Sequence, residues 1–228
     1  EWQRALGDVF AAGSTQDAQL EKILEFLRNT PDKVGAPRKV FVFNSESDAD
    51  IPTLKYAKGL DCAFVLGSGF KANRLLESLG FSERTHVVHY DYSAPALALR
   101  KLMLERWDGR DYGAFFLSVK PEIDAQFAGA VAYLPAPLVK DTASIDQEFM
   151  REMGSVFTSP DHWREHWQRY RALKHTYVEV DLLRDHAGLT AMIDAHATGH
   201  SAIWISDMFN SPNAVGKFRS EEHTSELQ

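Results

Sequence analysis

The sequence predicts an α/β protein: a mostly parallel sheet with helices on both faces. Three observations carry that reading. Short runs rich in β-branched and aromatic residues (62–66, 85–90, 176–180 and 201–206) alternate with stretches whose apolar residues recur at helical spacing (72–79, 95–107 and 187–197). A glycine-containing turn, Gly67-Ser68-Gly69, joins the first of these runs to its helix. The later runs lead to acids, at Asp91, Asp181 and Asp207. Strand and helix in alternation favour parallel pairing, because a parallel neighbour needs a crossover and the crossover helix covers the sheet.

Taken in order, residues 18–27 place Leu20, Ile23, Leu24 and Leu27 on one helical face, with Asp17 as the cap. Two prolines and a glycine make 30–37 a connector. The chain therefore divides into an N-terminal helical segment and connector over 1–37 and an α/β domain over 38–218. Residues 39–44 (Lys-Val-Phe-Val-Phe-Asn) read as a strand, and the polar, acidic 45–51 as a loop. The run 62–66 has the composition of a strand buried on both faces. Its helix sets Leu75, Leu76 and Leu79 on one side and stops at Gly80. The strand 85–90 ends at Asp91, and Pro95 suits the first turn of the next helix, where its missing N–H costs nothing.

Over 108–174 the alternation stops, and this region is expected to be a large insertion covering a binding site. It opens with a polar, glycine-bearing loop at 108–113. Residues 115–119 form an apolar run of either type, 128–138 is broken by Pro135 and Pro137, and 145–153 and 161–173 are helical. The alternation then resumes with the strand ending at Asp181-Leu182-Leu183, the helix 187–197, and a last strand running into Asp207-Met208-Phe209-Asn210.

With 44% apolar residues in 228, there is material for a real core in one domain, or in one domain with an insertion. Acidic residues outnumber basic ones 32 to 25, a net charge of −7, which argues against general nucleic-acid binding through phosphate neutralisation. No apolar run approaches the roughly 18 residues a membrane span needs, so no membrane partner is expected. A single cysteine, Cys62, excludes an internal disulfide and a cysteine metal cluster and fits a cytoplasmic setting. The last ten residues, Arg219 to Gln228, resemble the translation of a sequencing-library adapter. They are set aside from fold reasoning as artefactual, and the domain is expected to be a fragment truncated at its C-terminus.

Ligands of open parallel sheets bind beyond the C-terminal strand ends, near the point where strand order reverses. A glycine turn lets a ligand approach the backbone. A carboxylate 22 residues after Gly69, at Asp91, suits the two hydroxyls of a ribose. An Asp-Leu pair such as Asp181-Leu182 suits an adenine, by accepting from its amine and packing on its ring.

At these residues the chain resembles the class I S-adenosylmethionine-dependent methyltransferases. Phe64-Val65-Leu66-Gly67-Ser68-Gly69 resembles their glycine-rich first motif, and 87–97, with Asp91 before Ser93 and Pro95, their second. Tyr177-Val178-Glu179-Val180-Asp181-Leu182-Leu183 resembles the third, and Ile203-Trp204-Ile205-Ser206-Asp207 stands at the place of the fourth. The resemblance implies a Rossmann-like fold and S-adenosylmethionine as cofactor. It implies cofactor-binding roles for Gly67, Ser68, Gly69, Asp91, Tyr92, Asp181, Leu182 and Ser206. Gly67 and Gly69 would line the methionine part, Asp91 the ribose and Asp181 the adenine side. Asp207 and Asn210 would be the catalytic pair facing a small-molecule or peptide-like acceptor.

Other readings weigh against these. Gly67 and Gly69 can serve only a tight strand–helix turn, and Asp91 or Ser93 only a helix cap. Asp181, Asp207 and Asn210 can be turn formers. Asp48-Ala49-Asp50 has the acid spacing of a metal-dependent nucleotide-sugar transferase, an alternative function, as is a non-catalytic domain of the same fold. His162 and His166 can pair on a metal, but no third ligand is evident, so no metal site is assigned. Trp163, Trp167 and Tyr170, among Arg164, Arg169 and Arg171, can stack on bases or pack in a core.

Overall fold

The computed structural model describes residues 38–43, 51, 59–128, 131–181 and 185–204. The helix expected at 18–27, the connector after it, Asp48-Ala49-Asp50, Leu182, Ser206, Asp207, Asn210 and the C-terminal tail lie outside the described residues.

Within them the protein is α/β, with six helices and two parallel sheets. The larger sheet has four strands in the order β5-β3-β2-β6. They are β2 (Leu60–Leu66), β3 (Phe81–Asp91), β5 (Lys174–Glu179) and β6 (Ser201–Ile203). Every pairing is parallel: Phe64 stands opposite Val88 on one side and Ile203 on the other, and His89 stands opposite Tyr177. β2 is central, and Cys62, Ala63, Phe64 and Val65 are all buried, as a strand covered on both faces requires.

The alternation of side chains along each strand sends them to two cores. On one face Ala63, Val65 and Val87 pack under α1 (Lys71–Leu79) and α2 (Ala94–Arg106), through Leu75, Leu76, Leu99 and Met103. On the other, Cys62, Phe64, Val88 and Tyr90 pack with Met192, Leu189 and Ile193 of α6 (His186–His196). Helices therefore cover both faces. The helical spacing read from 72–79 and 95–107 finds its core sides as expected, and β3 starts four residues before the expected strand.

The region 108–174 does more than cover a site. It contributes α3 (Tyr112–Gln126), β4 (Val131–Leu134), α4 (Thr142–Met153) and α5 (Pro160–Arg171). β4 was not expected; it pairs in parallel with β1 (Arg38–Phe41), placing Phe41 opposite Leu134. The apolar run at 115–119 belongs to α3. An aromatic core joins these elements to the sheet: Phe70, after the glycine turn, meets Tyr112 edge-on at 4.8 Å and Phe149 at 5.1 Å. Trp163, Trp167 and Tyr170 of α5 are buried in the same core, which withdraws the base-stacking alternative for them. No helix among the described residues is long and apolar enough to cross a membrane.

Candidate functional site

The C-terminal edge of the larger sheet brings the expected residues together. β2 ends at Leu66, and the Gly67 N–H extends the ladder by donating to the Tyr90 carbonyl at 2.9 Å. The chain then bends through Ser68 and Gly69 into α1. Gly69 has φ +64°, a conformation that favours glycine. Gly67 is needed for space: a Cβ there would stand 2.8 Å from Leu97 Cδ2 of α2 and 3.4 Å from Asp91. The bend and the end of β3 are thus packed against each other.

Asp91 sits in that packing with 5% of its surface exposed. One carboxylate oxygen accepts from Ser68 Oγ at 3.0 Å, and the other from the Ser93 N–H at 3.0 Å. Burial pushes its pKa up to about 6, against the lowering effect of the Ser93 N–H, the Ser68 hydroxyl and N–H, and the charge of Arg100. Ser93 is the N-cap residue of α2, but its side chain caps nothing. Asp91 therefore orders the entry to α2 through the Ser93 backbone.

Tyr92 is 43% exposed, large for an aromatic side chain here. Its phenol is pushed up by burial of part of the ring and then by the charges of Asp91 and Asp181. Tyr92 therefore stands within the field of both acids. Asp181 follows the end of β5, which pairs with β3 up to Glu179 opposite Asp91, and its carbonyl accepts from the Asp185 N–H at 2.7 Å. Gly67, Ser68, Gly69, Asp91, Tyr92 and Asp181 thus gather along one sheet edge. Leu182, Ser206, Asp207 and Asn210 belong to segments outside the described residues.

The bend's own polar groups are engaged with protein. The Gly69 N–H donates to the Phe41 carbonyl of β1 at 3.0 Å. At the other end of β1, Arg38 forms a half-exposed ion pair at 3.6 Å with Glu179, the last residue of β5. β1 thus reaches the C-terminal end of β2 through a backbone hydrogen bond and that of β5 through a surface ion pair. The carbonyls of Gly67 and Gly69 both accept from Arg100, from Nε at 3.0 Å and from Nη2.

Arg100 is the participant that the motif reading passes over. It is 1% exposed. Its position holds a signal: it lies three residues after Leu97 and four before Leu104, on the apolar stripe of α2, where a charge must have a buried partner.

The remaining candidates resolve into packing. His162 Nε2 and His166 Nδ1 face the two oxygens of Glu77, at 3.3 and 3.0 Å. Among the described residues no group of three or more His, Cys, Asp or Glu side chains is arranged to hold a metal ion. Cys62 is buried, and burial pushes its thiol up to about 11, away from the reactive thiolate. No protein-family model, curated protein or solved structure matches the chain.

Proposed function

We propose that the chain carries a Rossmann-like S-adenosylmethionine-dependent methyltransferase domain, with residues 108–174 inserted in it, acting on a small-molecule or peptide-like acceptor. The observation that supports this most is the strand order. Counted along the alternation that begins at β2, the strands β2, β3, β5 and β6 are first to fourth, and they lie in the sheet as 3-2-1-4. The order reverses at β2, and open parallel sheets bind ligands beyond the strand ends at such a reversal. The glycine bend stands there, with Asp91 beside it.

The acid is suited to a ribose. A carboxylate offers about four lone-pair positions. The Ser68 hydroxyl, the Ser68 N–H and the Ser93 N–H take three of them. We assign the remaining position to a ribose hydroxyl, and a second hydroxyl can replace that of Ser68. Tyr92 offers an exposed ring face next to both acids, and Asp181 an acceptor on the adenine side. The cofactor, when bound, supplies a sulfonium methyl group open to in-line displacement. The chain's part is to bind, orient and exclude water, so no acid–base dyad is needed. Asp207 and Asn210, after β6, are assigned to the acceptor side by their place in the sequence.

Calorimetry with S-adenosylhomocysteine tests the reading. We expect saturable heat from the folded chain, and Asp91→Ala should weaken binding by about 1–3 kcal/mol through loss of charged hydrogen bonds. No heat at millimolar ligand from a folded chain rejects it. A second reading is favoured by the engagement of the bend with Arg100 and Phe41: a domain of this fold that binds no adenosyl group. The same titration separates the two.

A further inference from the structure

We propose that Arg100 is the positioning residue of this site: from the middle of α2 its guanidinium holds the carbonyls of Gly67 and Gly69 together and so sets the backbone from which Ser68 meets Asp91. The proposal rests on the reading of the bend as the cofactor site. The two carbonyls flank Ser68, and both accept from Arg100. Ser68 Oγ then donates to Asp91 at 3.0 Å. A guanidinium is a rigid planar fork, so one group fixes the separation of both acceptors; a lysine ammonium is a point donor on a flexible stem.

Arg100 is also an expensive choice for packing alone. Its Nη1 is buried and has no hydrogen-bond partner among the described residues. A buried cation with an unmet donor lowers stability, and an apolar side chain of similar volume is often the better packer. Among the groups around it is the acid of the site. Asp91 feels its charge. On the other sides stand His89 of β3, His175 and Tyr177 of β5, Tyr170 of α5 and Tyr112 of α3, all of which feel the same charge. Asp91 itself is faced by Ser68, Ser93, Arg100 and Tyr92, with Asp181 beyond Tyr92.

Arg100→Lys keeps the charge and loses the fork; Arg100→Gln loses both. Amide hydrogen exchange over 67–70 and the carboxyl-carbon titration of Asp91 are followed in the full chain without ligand, and S-adenosylhomocysteine binding is followed by calorimetry. Exchange at the bend should accelerate about tenfold or more in both variants, a loss on the scale of one charged hydrogen bond. The Asp91 midpoint should move upward in both variants, because both loosen the Ser68 hydrogen bonds that lower it, and furthest in Arg100→Gln, by about one pH unit, because only it also removes the nearby positive charge. Affinity for S-adenosylhomocysteine should fall about tenfold or more in both. A folded variant with unchanged exchange, or Arg100→Gln with an unchanged Asp91 midpoint, overturns the proposal. If neither variant folds, the unsubstituted chain decides. The Arg100 Nε proton should then exchange at least about tenfold more slowly than those of exposed arginines, and exchange at their rate overturns the proposal. Failure of the unsubstituted chain to bind S-adenosylhomocysteine refutes the methyltransferase reading, while the ligand-free measurements still decide on Arg100.

Discussion

Asp91 is a carboxyl that the fold would rather keep neutral. Its folded pKa of about 6 lies above the unfolded value of 3.8. The sign follows: its contribution favours folding fully below 3.8 and is lost as the pH rises through 6. Ionising it in place therefore costs on the order of 3 kcal/mol at neutral pH. Asp91→Asn keeps one acceptor for the Ser93 N–H and offers an amide donor to the Ser68 hydroxyl, while the Ser68 N–H loses its acceptor. In urea unfolding it should be more stable than the unsubstituted chain by about 1–3 kcal/mol at pH 8 and show no gain at pH 4. The same variant should weaken S-adenosylhomocysteine binding, by no more than Asp91→Ala does. A gain in stability with weaker binding is the behaviour of a strained functional group, not of a cap. The glycines, Asp91 and Asp181 were legible because strand-to-turn transitions are short-range features. Arg100 was not read as a site residue, because an arginine among leucines is ordinarily assigned to solvent. Its place on the stripe of α2 is the physical clue.

Helix α2 and the bend are packed so closely that one element's geometry depends on the other's. The Cβ of an alanine at 67 would press on Leu97 at 2.8 Å. Since overpacking typically costs about 1–3 kcal/mol, Gly67→Ala should lower stability by that amount. Adding Leu97→Ala should return part of the loss, and simple addition of the two single effects in thermal unfolding would sink this account of the glycine. Elements such as α1 and α5 could be read from the sequence because each has one clear apolar side, and α2 because it is rich in strong helix formers and starts at Ala94-Pro95. α3 could not: Phe115, Phe116 and Leu117 are consecutive, and Pro121 lies inside the helix. Its type is decided by packing against its neighbours, not by its own pattern. β4 is four residues long, is followed by Pro135, and pairs with a strand more than 90 positions earlier. No local signal encodes a pairing of that separation.

Across the whole molecule, the layer between β3, β5, α2 and α5 is polar where a parallel α/β core is usually apolar. His89 lies flat against Tyr177 at 5.4 Å and against His175 at 5.3 Å. His89 Nε2 and His175 Nδ1 are 3.1 Å apart, and His175 Nε2 reaches the Tyr170 carbonyl at 2.9 Å. One proton pattern makes both of these contacts with both rings neutral: His175 donates to the carbonyl, and His89 donates to His175, while the buried His89 Nδ1 has no partner among the described residues. A further proton on either ring brings a cation beside Arg100. Burial first, and then that neighbouring charge, hold His89 well below its ordinary value. Burial pushes His175 down to about 4, with Arg100 acting in the same direction and the Tyr170 carbonyl opposing. His166 is lowered by burial as well, although Glu77 opposes it. For a histidine whose folded pKa is depressed, the stabilising contribution is present above the unfolded value near 6.5 and lost as the pH falls towards the folded one. Asp91 acts in the opposite sense between pH 6 and 4, since its protonation favours the folded chain. His86 is lowered too, by burial and the charges of Lys174 and His196, and these four histidines outweigh one acid, so stability should fall between pH 6.5 and 4. His175→Gln, whose amide can donate to the Tyr170 carbonyl and accept from His89, should flatten that fall by about 2–3 kcal/mol while changing stability at pH 8 by less than that. Urea unfolding at half-unit pH steps measures both limbs. If the slope between pH 6.5 and 4 is the same in the variant, His175 is not the group that titrates there, and the neutral chain of hydrogen bonds assigned to this layer is wrong.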